Sequence, residues 1–73
     1  MSYSFEIKES NSLLEQFSRQ GLSKETHPYS YEKIEAISNF IDIAYSENKK
    51  GTIPDSQLKE MIDVAVKKIK TLL

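Results

Sequence analysis

Apolar residues near the end of the chain fall at Leu58, Met61, Ile62, Ala65, Ile69 and Leu72. Steps of three and four residues are the spacing of one face of an α-helix. Val64, Val66 and Leu73 widen that stripe, and Lys59, Glu60, Asp63, Lys67 and Lys70 hold the opposite side. Acidic Asp55 and Glu60 come early and Lys67, Lys68 and Lys70 late, which complements the helix dipole. The pattern predicts a helix over 54–73, with Thr52 or Asp55 able to cap its start and Pro54 tolerated in the first turn. The middle of the chain repeats the signal at Ile34, Ile37, Ile41, Ala44 and Tyr45, predicting a helix over 30–48. Ser30 is placed as its N-cap, Tyr29 and Ile34 as a hydrophobic staple, and Gly51 just past its end. Ala36, Phe40 and Ile43 lie beside or opposite the main stripe, so apolar groups cover well over half the circumference. One neighbouring helix cannot cover all of that. The central helix either sits between two others, or its second face, around Phe40 and Ile43, meets another subunit.

The N-terminal third carries two patterns. Tyr3, Phe5 and Ile7 alternate as in a strand, whereas Tyr3, Ile7, Leu14 and Phe17 share a face if the segment is helical. A lone strand has no partner among elements that are otherwise helical, so residues 1–11 are expected to form an arm or a frayed helical turn. From residue 12 the reading is firmer. Ser12 and Glu15 have the spacing of a capping box, Leu13, Leu14 and Phe17 follow, and Gly21 stops the helix. Leu22 to Tyr29, with Ser23, His27 and Pro28, then reads as a polar linker. The expected fold is all-α: a small three-helix domain of helices 12–20, 30–48 and 54–73. The last two form an antiparallel hairpin, and in one form dimerisation completes the domain.

Composition narrows what such a domain can be. A chain of 73 residues without cysteine makes one domain with a small core, which supplies only about 3 to 5 kcal/mol. Disulfides are excluded, and one histidine leaves almost no material for a zinc site. A second subunit or a partner protein is the remaining support. Ten basic against eleven acidic residues give a net charge of −1, with Arg19 the single arginine, so no global field draws the chain to phosphate and nucleic acid is not the expected partner. The opening residues have neither a basic leader nor an apolar run, and no stretch approaches the ~20 apolar residues of a membrane span. A soluble, cytoplasmic protein with no membrane association is the expectation.

Little of the sequence carries chemistry. Residues 46–57 have the cadence of an EF-hand loop, with Gly51 sixth and Ile53 eighth. Such a loop needs oxygen ligands at positions 1, 3, 5 and 12, which here hold Ser46, Asn48, Lys50 and Gln57. Lys50 would set a cation against the bound cation, so no metal or other cofactor is expected; the match bears on shape, a connector between two helices, with a metal-free, degenerate EF-hand-like helix-loop-helix as an alternative reading. His27 lies in the polar linker with no nucleophile or carboxylate held beside it by any recognisable motif. No glycine-rich phosphate loop, nucleophile elbow or HExxH pattern occurs, and no enzymatic activity is expected. Lys67, Lys68 and Lys70 are the main basic concentration; they fit either phosphate contact or a solvated helix end, and they carry the alternative of a nucleic-acid-associated regulator. The aromatic residues around the central helix point instead to an interface, since tyrosine joins an apolar body to a polar tip. The expected function is a non-catalytic protein–protein interaction module, a small adaptor, inhibitor or regulatory subunit that binds another protein or itself as a homodimer. Tyr31, Phe40, Ile43 and Glu47 are its candidate partner-binding residues.

Overall fold

The computed structural model describes residues 5–7 and 12–72. It is all-helical in its regular elements: α1 (Leu13–Arg19), α2 (Pro28–Lys50) and α3 (Asp55–Leu72). α3 and α1 each pack on α2, and among the described residues the backbones of α1 and α3 do not approach one another. α2 is therefore the middle helix, which accounts for much of its apolar circumference. The three predicted helices are present and the last two form the hairpin. Tyr3 and Leu73 lie outside the described residues.

The core follows from the helical periods. Ile34, Ile37, Ile41 and Ala44 are buried on α2, Ala65 and Ile69 on α3, and Leu13 and Phe17 on α1. No polar or charged side chain is buried among the described residues, so the interior is held by apolar packing without internal ion pairs. Phe17 of α1 meets Tyr31 of α2 edge to face, ring centroids 6.0 Å apart and planes at 62°, a preferred aromatic geometry.

Leu22 corrects the reading of a polar linker, because it is buried in the same cluster as Phe17. The backbone explains it. Gly21 takes φ +81° and donates its N–H to the Ser18 carbonyl, while Leu22 N–H reaches the Phe17 carbonyl at 3.3 Å. This is a Schellman closure, which carries the residue after the glycine back over the last turn and sets it against an apolar side chain there. Residues 23–26 then form one tight turn. Ser23 N–H donates to Thr26 Oγ1, Thr26 N–H donates to Ser23 Oγ, and His27 N–H reaches the Ser23 carbonyl at 2.7 Å.

Several cap assignments also change. α2 starts two residues before the expected Ser30, with His27 in the capping position and Pro28 in the first turn, where proline's missing N–H costs nothing and its fixed φ suits the helix. Tyr29 is consequently inside the helix and 66% exposed, so it forms no staple with Ile34. Ser12 precedes α1 as expected but makes no side-chain capping bond, and the Ser12–Glu15 box is not formed; Glu15 instead pairs with Arg19 one turn on. Thr52 does not cap α3. Its hydroxyl donates to the Glu47 carbonyl at 2.8 Å and to the Glu47 carboxylate at 2.5 Å, closing α2 together with Gly51.

Residues 5–7 borrow a strand's bonding. Glu6 N–H donates to Gln16 Oε1 at 2.7 Å, and Gln16 Nε2 donates to the Glu6 carbonyl at 2.8 Å. One side-chain amide thus satisfies both backbone groups of Glu6, as a neighbouring strand would. Phe5 and Ile7, on either side, pack against the core while Glu6 faces out. The alternation was a real signal, and its partner is a glutamine side chain on α1.

Candidate functional site

The segment with EF-hand cadence has the wrong backbone for an ion-binding loop. Ser46 to Lys50 continue α2, Gly51 turns at φ +83°, and α3 begins at Asp55. The connector is therefore Gly51–Pro54, a helical corner. Its side chains are spent on holding that corner: Asn48 Nδ2 donates to the Ile53 carbonyl at 3.2 Å and to Asp55 Oδ1 at 2.8 Å. Among the described residues no group of three or more His, Cys, Asp or Glu side chains is placed to hold a metal ion. His27 is exposed, with Nδ1 2.8 Å from the Thr26 hydroxyl, a hydroxyl that also serves the 23–26 turn. Among the described residues no helix is long and apolar enough to cross a membrane.

The lysines of α3 are not one patch. Successive positions on a helix turn by about 100°, so Lys67 and Lys70 share one side and Lys68 points away from them. Lys68 faces α2, where it lines a groove with Lys33; the other two are exposed on the far side.

The predicted partner-binding residues separate in a similar way. Tyr31 turns toward α1 and packs on Phe17, so it belongs to the interior contact between α1 and α2. Phe40, Ile43 and Glu47 stay together on the other flank, at steps of three and four residues. The same steps extended backward reach Ala36, Lys33 and Tyr29, a continuous stripe along α2. Tyr29, rather than Tyr31, is its aromatic end, and Lys33 Nζ sits 5.4 Å from the Tyr29 ring centroid. The spacing of Tyr29 contained this assignment, but the expectation that it was a staple outside the helix hid it.

α3 supplies the matching side. Between the two helices lies a groove of about 360 Å³, with Ala36, Ile37, Phe40, Ala65 and Leu72 in it and Lys33, Lys68 and Thr71 beside them. A second, more open concavity of about 510 Å³ is lined by Phe40, Pro54, Ser56, Gln57, Glu60, Met61 and Val64. Phe40 belongs to both, half-buried, and divides the face like a ridge. Ile43 is 59% exposed and Val64 45%, although each belongs to an otherwise packed helix. The face formed by α2 and α3 thus combines one half-buried aromatic, two exposed branched side chains and concave surface on each side. No protein-family model, curated protein or solved structure matches this chain.

Proposed function

We propose that the chain is a non-catalytic protein–protein interaction module, acting as a small adaptor, inhibitor or regulatory subunit through the α2/α3 face. The observation that carries this reading is the coincidence of Tyr29, Phe40, Ile43 and Val64 on the flank of the hairpin that includes both concavities. Isolated exposed apolar residues are ordinary, but a contiguous patch rimmed by polar groups marks a binding surface. A helix laid along Phe40 would bury these side chains in the manner of helix-in-groove recognition.

Ile43→Glu with Val64→Glu tests the reading, since both side chains are already exposed and their replacement leaves the core untouched. Immobilised wild-type protein should retain specific proteins from its host extract that the double variant loses, while the two melt at the same temperature. Retention of the same proteins by both would overturn the reading.

A further inference from the structure

The charged residues that line the two concavities of the α2/α3 face differ in sign. Because the hairpin is antiparallel, the start of α2 lies beside the end of α3, and Lys33 and Lys68 line one groove together. At the other end Glu60 lines the second concavity with Met61 and Val64, and Glu47 occupies the corresponding step of α2. Glu47 is already held in place by Thr52 and by Lys50, whose Nζ is 3.9 Å from its carboxylate. Glu32 and Lys50 continue the same three- and four-residue steps on the Ile43 side of the stripe, eight and ten residues from Phe40, so across an axis at Phe40 they too fall nearly level as an unlike pair.

The spacing of these charges is symmetrical. On α2, Lys33 and Glu47 each stand seven residues from Phe40; on α3, Lys68 and Glu60 each stand four residues from Val64. Phe40 and Val64 line the same concavity, so the two midpoints are side by side. A surface with this arrangement is complementary to itself, as a two-fold interface requires.

Resting on the reading of this face as an interface, we infer that its occupant is a second copy of the chain, related by a two-fold axis crossing α2 and α3 at Phe40 and Val64. Such an axis lies in the interface at right angles to the helices and sets each helix antiparallel to its own mate. With a uniform rise of about 1.5 Å per residue, Lys33 of one copy comes level with Glu47 of the other, and Lys68 with Glu60. Four unlike pairs then surround an apolar centre made by Phe40, Ile43, Val64 and their mates, giving an antiparallel four-helix arrangement flanked by the two α1 helices. An axis parallel to the helices would bring the two lysine ends together, so charge selects the first geometry. α3 is roughly 27 Å long and the molecule 18 Å across. Two such faces cover on the order of 1,000 Å² before side-chain relief is counted, the lower end of specific interfaces; the dimer is a reversible one.

Sedimentation equilibrium from micromolar to millimolar protein tests the arrangement with two charge-reversed chains, Lys33→Glu/Lys68→Glu and Glu47→Lys/Glu60→Lys. The wild type should show twice the monomer mass, and each variant alone the monomer mass. An equimolar mixture of the two variants should recover the dimer, because all four cross-axis pairs are again unlike. Circular dichroism on each chain checks that helicity is kept. Since Glu47→Lys also removes the Thr52 contact, Lys68→Glu and Glu60→Lys are repeated as single variants, with partial loss and the same recovery on mixing. A wild type that is monomeric at millimolar concentration overturns self-association, yet leaves intact a capture result that depends on Ile43 and Val64. A wild-type dimer that neither charge variant disturbs, or a mixture that fails to re-form it, overturns the two-fold geometry.

Discussion

Gly51 shows how one residue decides where the hairpin can turn. It sits at φ +83°, and a methyl group built at its Cα would meet no atom within 4 Å. The requirement for glycine is therefore the backbone's own, since an L side chain is strained in the left-handed region even in open space. Gly51→Ala should destabilise the chain by about 1 kcal/mol and lower its melting temperature by roughly 4 to 8 °C. Gly51→Asn should cost less, because asparagine tolerates that conformation; equal melting temperatures for all three chains would contradict the argument. Gln16 acts at the same scale by different means. Its amide has both a donor and an acceptor, and only that combination can serve the N–H and carbonyl of Glu6 together. Neither leucine nor glutamate could replace it there.

At the scale of the element, α2 carries two stripes with different duties. Ile41 is fully buried and Ile43, two positions on, is 59% exposed. Ile41→Ala should cost about 2 to 5 kcal/mol, which approaches the whole stability of a core this small. Ile43→Ala should stay within about 0.5 kcal/mol for the isolated chain, and urea denaturation of the two variants measures both. The inner stripe was legible because Ile34, Ile37, Ile41 and Ala44 repeat at the helical period and are all aliphatic. The outer stripe was legible in part: Phe40, Ile43 and Glu47 share a flank by spacing alone, but which flank α1 would cover is a tertiary fact. Tyr31 was assigned to the partner face for that reason and packs on Phe17 instead. At Leu22 composition says linker where the Gly21 turn says core. A glycine stop followed directly by an apolar residue was the available signal, and it outweighs the polarity of Ser23 to Thr26.

For the whole molecule, the decisive fact is that every described interhelical backbone approach involves α2. The radius of gyration is 12.7 Å, above the roughly 11 Å of a compact domain of this length, and the greatest extent is 39 Å. The α2/α3 corner is short and local, whereas α1 is seven residues long, too short to persist without the surface it lies on. Amide hydrogen exchange under native conditions should therefore show the inner amides of α1 opening at lower free energy than those at the middle of α2. Uniform protection across both helices would contradict it.

Among the described residues the backbones of α1 and α3 approach only α2, while side chains of all three helices join in one core cluster. The two flanks of α2 look in different directions, one toward α1 and one toward the open face beside α3. Tyr31 and Phe40 stand on those flanks less than three turns apart, the first against Phe17 and the second lining both concavities. The helix that supplies the largest share of the buried core is thereby also the one that carries the open stripe of Phe40 and Ile43.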